Sequence, residues 1–137
     1  MAIDFWLQMD LIFKSLLILN TSRNEAEYED AIEDELVVFK VTDSDGNIIA
    51  GCNLIINCWK VADLDILWVD EPYRNQGIGS CLLSDIEPEA KKNGACIVMI
   101  DARDWNVDFF KKLGYTVYCT LEDYLNGYSK YKLQKQL

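Results

Sequence analysis

The sequence contains no histidine, and its five cysteines include no Cys-x-x-Cys pair. Zinc sites are built mostly from histidine and closely spaced cysteine, so we expect no metal centre. An odd number of cysteines without framework spacing also argues against a disulfide scaffold and favours reduced thiols in the cytoplasm. Most of these cysteines are expected to be small core side chains.

Basic residues are scarce. There are 13 lysines and arginines against 23 aspartates and glutamates, which gives a net charge of −10. A protein that binds nucleic acid or an anionic membrane surface usually carries a basic face, so neither partner is expected. A cationic substrate such as an amine is compatible with this charge, although an ordinary acidic surface would give the same value.

Long uninterrupted apolar runs are missing as well. The most apolar N-terminal stretch, residues 3–19, is broken by Asp4, Asp10 and Lys14 and lacks the basic start of a signal peptide. We therefore expect this stretch to be part of the fold. Half of the 137 residues are hydrophobic, which suits one domain over residues 1–137.

The apolar pattern predicts strands followed by an alternation of strands and helices, and so the α/β class. Before residue 18 the apolar residues recur at helical spacing, and a short strand within residues 2–8 is the alternative. Residues 23–35 are expected to form a solvated, charged segment. Pro88 falls inside a predicted helix and should kink it or end it early. Strands are expected at residues 36–41, 48–56, 61–69, 96–100, 115–121 and 129–133, and helices at 76–93 and 106–113.

The segment R-N-Q-G-I-G-S, residues 74–80, joins a predicted strand to a predicted helix. The first N–H groups of a helix lack internal partners and carry partial positive charge, so a phosphate fits there. Gly77 and Gly79 would let a ligand approach the backbone, and Arg74 and Ser80 would add a charge and a hydroxyl. The third glycine of a dinucleotide fingerprint is absent at position 82, and so is the Gly-Lys-Ser/Thr of a P-loop.

This loop, the strand before it and the segment F-F-K-K-L-G-Y at residues 109–115 together resemble the GNAT family of acetyl-CoA-dependent N-acetyltransferases. In this order they resemble the family's motif A and its later helix-to-strand step, over roughly the C-terminal half of the chain. The first thirty-five residues match poorly. The resemblance implies a single mixed α/β domain with a mostly antiparallel sheet of six to seven strands, splayed after the fourth and flanked by helices.

The resemblance also implies a binding site for acetyl-CoA as co-substrate. The strand backbone at Leu67, Trp68 and Val69 would bind the pantetheine arm. Asn106 could bond the pantetheine amide or be a plain helix N-cap, and Trp105 could line the acceptor pocket. The loop residues would hold the pyrophosphate mainly through backbone N–H groups, and they are Arg74, Asn75, Gln76, Gly77, Ile78, Gly79 and Ser80.

The implied reaction is direct attack of a small-molecule primary amine on the acetyl thioester, which requires a base for the amine proton. Asp63 lies at the spacing of the general base in some family members, and Asp65 would point to the same side of a regular strand. Phe110 stands where many members carry a tyrosine that protonates the leaving thiolate, and a phenyl ring cannot donate a proton. The resemblance still places Phe110 among the cofactor-binding residues. Tyr115, Tyr118 or water could substitute, although Tyr115 could equally be a packing residue.

The departure at Phe110 leaves an alternative open, a non-catalytic acyl-CoA-binding or interaction module on the same fold. A third hypothesis is a different nucleotide-phosphate binder. Some family members dimerise through C-terminal strands, so a homodimer is a further expectation, with residues 128–133 at the edge. The sequence does not name the acceptor amine.

Overall fold

The computed structural model describes residues 34–137. The helix expected before residue 18 and nearly all of the charged segment at residues 23–35 lie outside the described residues. All motifs that carry the functional argument lie inside them.

Six strands of the described chain form one mixed sheet, in the order β1-β2-β3-β4-β6-β5. Neighbouring strands are antiparallel except β3 and β4, which are parallel. Helix α1, Ile78–Lys92, makes the crossover between these two strands, and helix α2, Val107–Lys112, connects β4 to β5. The predicted mixed α/β class with a mostly antiparallel sheet is confirmed. The strands are β1 Glu35–Thr42, β2 Ile48–Ile56, β3 Val61–Val69, β4 Ile97–Arg103, β5 Thr116–Leu125 and β6 Tyr128–Gln136.

The main core lies between one face of the sheet and the two helices. Alternate residues of β2 point to this face, as the period of a strand requires. A smaller cluster, Ile66 and Trp68 with the partly buried Val38 and Ile48, lies on the opposite face. The main core includes Ala50, Cys52, Leu54 and Ile56 of β2, Leu82, Leu83, Ile86 and Ala90 of α1, and Phe110 of α2.

Pro88 lies inside α1, and the helix runs without interruption to Lys92. The early break, one of the two outcomes predicted at this proline, therefore does not occur. A proline removes one helical N–H and so one hydrogen bond. Ile86 and Ala90 on either side of it are fully buried against the sheet, and this packing stabilises the helix on both sides of the proline.

Strands β3 and β4 separate along their length. They pair from Val61–Ile97 to Leu64–Ile100, and within residues 34–137 they form no pair beyond that point. At the same place β3 carries a bulge, because Leu64 faces Leu54 while Ile66 faces Asn53, which leaves Asp65 as the extra residue. The predicted splay is thus present, and β3 is the strand that resembles the family's fourth.

Candidate active site

The loop after β3 is shaped by two residues with left-handed backbone angles. Asp70 accepts a hydrogen bond from the N–H of Glu71 and caps a single 3-10 turn, Glu71–Tyr73. Asn75 has φ of 59° and Gly77 has φ of 83°, a region in which asparagine and glycine are favoured. These two reversals turn the chain so that α1 begins directly at Ile78.

The N-terminus of α1 is not capped by a side chain. Gly77 occupies the N-cap position, and the described residues provide no side-chain hydrogen bond there. The N–H of Cys81 bonds to the carbonyl of Gly77 at 3.0 Å. The N–H groups that precede it, with the partial positive charge of a 15-residue helix, suit an anion.

Arg74 holds the loop against the strand. Its Nε donates a hydrogen bond of 2.8 Å to the carbonyl of Val69, the last residue of β3. The sequence predicted only a charge near the phosphates for this residue. The structure adds a second task, because the same guanidinium fixes where the loop leaves the sheet.

A cavity of about 630 Å³, here called the cofactor groove, is lined by the loop, the end of β3 and the start of α2. It collects all of the residues predicted for the cofactor except Trp68 and Gln76. The Trp68 side chain is buried in the smaller cluster on the opposite face. The amide of Gln76 donates to the carbonyl of Pro72 at 3.3 Å. Any role of Trp68 in the groove is therefore restricted to its backbone.

Three aromatic residues of the cofactor groove were not assigned to it from the sequence, namely Tyr73, Trp105 and Phe109. The sequence offered Trp105 as a residue that could line the acceptor pocket, and it lines the cofactor groove beside Asn106. Phe109 could have been assigned to the cofactor groove from the sequence, since it belongs to the F-F-K-K-L-G-Y segment. Its ring packs edge-on against Phe110 at 5.1 Å between centroids.

Asn106 occupies the N-cap position of α2, yet its side chain makes no capping hydrogen bond to the described helix. Its Oδ1 accepts instead from the N–H of Arg103 at 2.7 Å. The plain N-cap interpretation is therefore wrong in its bonding. The bond closes the turn between β4 and α2 and holds Asn106 at the cofactor groove.

A second cavity, of about 380 Å³, contains the candidate bases and is here called the acidic cavity. Asp63 alternates with the core residues Ala62 and Leu64, so its side chain lies on the sheet face opposite the helices. Asp101 of β4 alternates with core residues in the same way. The cavity is lined by Ile55, Asp63, Leu64, Asp65, Met99, Ile100, Asp101, Tyr118 and Lys132.

Asp101 is neutralised by two lysines of β6. Its oxygens lie 2.6 Å from Nζ of Lys130 and 3.5 Å from Nζ of Lys132. Burial opposes the charge of Asp101, but the hydrogen bond and charge of Lys130, with the charge of Lys132, outweigh it and lower the pKa of Asp101. The pKa of Asp63 is raised, first by burial and then by the negative charge of Asp101, with Lys132 acting in the opposite direction.

Asp65 was predicted to point to the same side as Asp63 on the assumption that the strand is regular. The bulge at Asp65 shows that the strand is not regular at this point. Both carboxylates nevertheless line the acidic cavity. Oδ2 of Asp65 also accepts a hydrogen bond of 3.3 Å from Nδ2 of Asn53, a fully buried residue of β2.

The acidic cavity and the cofactor groove lie on opposite faces of the sheet and adjoin the same splay. The last β3–β4 pair, Leu64 and Ile100, lines the acidic cavity, and Leu67, three residues further along β3, lines the cofactor groove. Two ligands could therefore meet where the strands part.

Comparison with known proteins identifies the family of this chain. The model of the acetyltransferase (GNAT) family matches residues 6–115. The chain belongs to the GNAT family. The match includes most of the N-terminal stretch in which the sequence showed little resemblance.

An acetyltransferase from Bacillus cereus ATCC 14579 has a similar structure, with 30% identity and a TM-score of 0.73 over 96% of this chain and 92% of that one. An aminoglycoside 6'-N-acetyltransferase in complex with coenzyme A shares the fold at 16% identity, with a TM-score of 0.68 over 74% of this chain and 73% of that one. Both structures support the predicted fold.

Among curated proteins, the blasticidin-S acetyltransferase of Streptomyces morookaense is 31% identical over 81 residues. The match covers 58% of this chain and 60% of that protein. Matches to two further curated relatives cover 48% and 33% of their lengths. The chain thus spans about a third to three fifths of the curated GNAT relatives.

Tyr115 lies apart from both cavities of this GNAT chain. It is 2% exposed, and its hydroxyl donates a hydrogen bond of 2.5 Å to Oε1 of Glu87 in α1. Lys135 completes the group, with Nζ 2.9 Å from the other Glu87 oxygen. Burial and then the bond to Glu87 raise the pKa of Tyr115. This arrangement favours the packing interpretation of Tyr115 over an acid role.

Tyr118 is 48% exposed and lines the acidic cavity. Phe110, at the family's tyrosine position, is buried and contributes to the wall of the cofactor groove. Among the described residues of this GNAT chain, Tyr118 is therefore the better placed of the two tyrosines considered as substitutes. None of the helices within residues 34–137 has the length and apolarity needed to span a membrane.

Proposed function

We propose that this chain is an acetyl-CoA-dependent N-acetyltransferase that transfers an acetyl group to a primary amine of a small molecule by direct attack. The observation that carries the proposal is the placement of an anion-binding groove and a carboxylate-lined cavity on the two sides of one strand splay. The relatives named blasticidin-S acetyltransferase and aminoglycoside 6'-N-acetyltransferase support an amine-bearing acceptor.

The residues of the cofactor groove fit coenzyme A. The uncapped N–H groups at the start of α1 suit a pyrophosphate. Gly79 keeps the groove open, because a Cβ there would contact the ring of Phe109. Beyond Leu64 the edge of β3 that faces β4 has no strand partner within residues 34–137, so its backbone groups can bond the pantetheine arm.

Acetyl-CoA, when bound, supplies an activated acetyl thioester at the splay. Asp63 then accepts the proton of the attacking amine, directly or through a water, and its raised pKa makes it a stronger base than an ordinary aspartate. Phe110 cannot protonate the leaving sulfur. A proton from the attacking nitrogen or from water completes that step, since a thiol is acidic enough to leave without a dedicated acid.

The test begins with isothermal titration of acetyl-CoA and coenzyme A into the wild-type chain and the Gly77→Glu variant. We expect micromolar binding by the wild type and its loss in the variant. Thiol release over a panel of primary amines follows. Asp63→Asn should lower kcat by roughly a hundredfold or more while leaving coenzyme A affinity unchanged. Absence of coenzyme A binding by folded wild-type protein would overturn the proposal.

Phe110 favours one alternative, a non-catalytic acyl-CoA-binding module on the GNAT fold. The missing tyrosine removes a proton donor that an efficient transferase uses. Coenzyme A binding without thiol release over the whole amine panel would support this alternative. Turnover that disappears in Asp63→Asn would count against it.

A homodimer, a cytoplasmic location and the absence of nucleic-acid, membrane and metal partners stay predictions. The expectation that residues 128–133 lie at the edge is wrong, because β6 pairs with β4 on one side and β5 on the other. The edge strand is β5, which exposes Leu121 and Leu125, and this supports association along its edge. Light scattering that finds a monomer at high concentration would contradict the dimer. All five cysteines lie within residues 34–137 and are free, which supports a reducing compartment. The expectation that most of them are core side chains is wrong, because Cys52 alone of the five is buried.

A further inference from the structure

The carboxylates of the acidic cavity differ in whether they form ion pairs. Asp101 is paired with Lys130 and Lys132. Asp63 and Asp65 form no ion pair with any residue in the range 34–137. These three carboxylates and two lysines carry a net charge of −1, so the cavity is acidic. Asp63 and Asp65 can each form a direct ion pair with a cationic group of a ligand.

Asp65 differs from Asp63 in that a buried group fixes its position. Asn53 is fully buried, and its Nδ2 donates to Oδ2 of Asp65 at 3.3 Å. Oδ1 of the same amide has no hydrogen-bond partner among the described residues. A buried acceptor without a partner lowers the stability of the fold, so this amide is poorly explained as a stabilising feature.

The backbone supports the same interpretation. Asp65 is the extra residue of the β3 bulge, and Asn53 is the residue of β2 beside that bulge. Bulges often re-aim a side chain next to a functional site. The bulge, the buried amide and the carboxylate thus act as one unit that sets the direction of Asp65 at the rim of the splay.

We propose that Asp65, oriented by Asn53, binds a second cationic group of the acceptor while Asp63 serves the reacting nitrogen. This assignment rests on the proposed acetyltransferase function. It makes the acceptor an amine that carries another positive charge, and it disfavours amines whose second group is a carboxylate. Asn53 is a positioning residue, because it acts through Asp65.

A diamine enters the acidic cavity with both nitrogens protonated, one ammonium facing Asp63 and the other facing Asp65. The first ammonium transfers its proton to Asp63. The freed nitrogen lone pair forms the C–N bond to the acetyl carbon, the C–S bond breaks, and the second nitrogen proton passes to the departing sulfur. Asp63 later returns its proton to solvent. The other ammonium stays on Asp65 throughout.

The experiment compares 1,4-diaminobutane with n-butylamine, which has the same carbon chain and one charge fewer. Calorimetry measures the affinity of each for the full chain, with and without coenzyme A. We expect the diamine to bind at least tenfold more tightly. Asp65→Asn should abolish this preference. Asn53→Leu should reduce it while leaving n-butylamine affinity unchanged, a result that general damage to the fold would not give.

Two controls sharpen the test. Asp108→Asn removes an exposed carboxylate of α2 that lines neither cavity, and it should leave the preference intact. In the Asp65→Asn background, Asn53→Leu should have no further effect on the ratio of affinities, because Asn53 acts only through Asp65.

Equal affinity for the two amines, a preference that survives in Asp65→Asn, or no diamine binding at millimolar concentration would each overturn the inference. If coenzyme A still binds and n-butylamine is still acetylated, the proposed transferase function stands without it. Loss of coenzyme A binding by the folded chain would overturn both.

Discussion

Gly79 and Phe109 approach each other so closely that a Cβ on Gly79 would lie 3.4 Å from Cζ of Phe109 and 3.9 Å from Cγ2 of Val69. This contact joins the first turn of α1 to α2 across the cofactor groove. A methyl group fits at this distance, whereas a larger side chain must enter the groove or displace the phenylalanine ring.

Gly79→Leu is therefore expected to lower coenzyme A affinity by more than tenfold, measured by calorimetry. Gly79→Ala should retain most of the affinity and stabilise α1 by roughly 0.5–1 kcal/mol, because alanine is the better helix former. Ser84→Leu, at an exposed position of the same helix, controls for an added leucine and should bind normally. Normal binding by Gly79→Leu would show that the groove is not the cofactor site.

Tyr115→Phe separates packing from catalysis. Within residues 34–137 the Tyr115 hydroxyl bonds to Glu87 alone, so its removal leaves one oxygen of this partly buried carboxylate without its partner. We expect the free energy of unfolding to fall by about 1–3 kcal/mol in urea titration. The kcat should stay within about twofold of wild type, since the raised pKa of Tyr115 makes it a poor proton donor.

Tyr118→Phe is the matched control, because Tyr118 lines the acidic cavity and is half exposed. Its unfolding free energy should stay within about 0.5 kcal/mol of wild type. A large loss of kcat in Tyr115→Phe with full stability would restore the acid role to Tyr115.

The cofactor side of the site was predictable from the sequence because its determinants are local. The residues from Leu67 to Ser80 are continuous in the chain, and glycine between a strand and a helix has a direct backbone meaning. Asn106 and Phe110 followed from the resemblance at the second helix. Tyr73 was missed because a tyrosine beside a turn carries no signal of its own.

The acidic cavity could not be assembled from the sequence because its charges come from different strands. Asp63, Asp101 and Lys132 lie on β3, β4 and β6, and only the sheet order brings them together. No glycine or proline lies next to Asp65 that would have indicated a bulge in the sequence. Strand β5 extends to Leu125, beyond its predicted end at residue 121. This extension was missed because the bulges in β5 interrupt its regular pairing with β6. Asn53 was not singled out, because in the sequence it looks like any other residue of the predicted strand at 48–56.

The charges around Asp63 should control the pH dependence of kcat. Asp63 must be ionised to act as a base, so kcat falls as pH drops through its raised pKa. The groups that act on it are Asp101, which raises the pKa, Lys132, which lowers it, and Asp34, which raises it more weakly. Asp101→Asn should therefore move the acid limb of the kcat profile to lower pH, and Lys132→Met should move it to higher pH.

Each shift should be roughly a few tenths of a pH unit, because charges at an open cavity are screened by water and salt. Both profiles are measured by thiol release at saturating acetyl-CoA. Displacements in the same direction for the two variants, or an acid limb that survives in Asp63→Asn, would assign the limb to another group.

Asp63 should also weaken the fold at neutral pH. Its pKa is raised above the ordinary value of 3.8, first by burial and then by Asp101. Between the two values the folded chain holds a proton that the unfolded chain has released, so the free energy of unfolding falls as pH rises through this window. Above the window a small cost of holding the ionised carboxylate remains, because Asp63 is exposed at the cavity and solvent screens its charge.

Asp63→Asn is therefore expected to be more stable than wild type at neutral pH, with a gain that vanishes below the ordinary value of 3.8. Urea unfolding at neutral and acid pH measures this gain in the free energy of unfolding. If the same variant also loses turnover, then wild-type Asp63 lowers stability in return for its role as a base. The exposed Asp108→Asn should show no gain at either pH. A destabilised Asp63→Asn at neutral pH would mean that Asp63 has a structural partner and is not a free base.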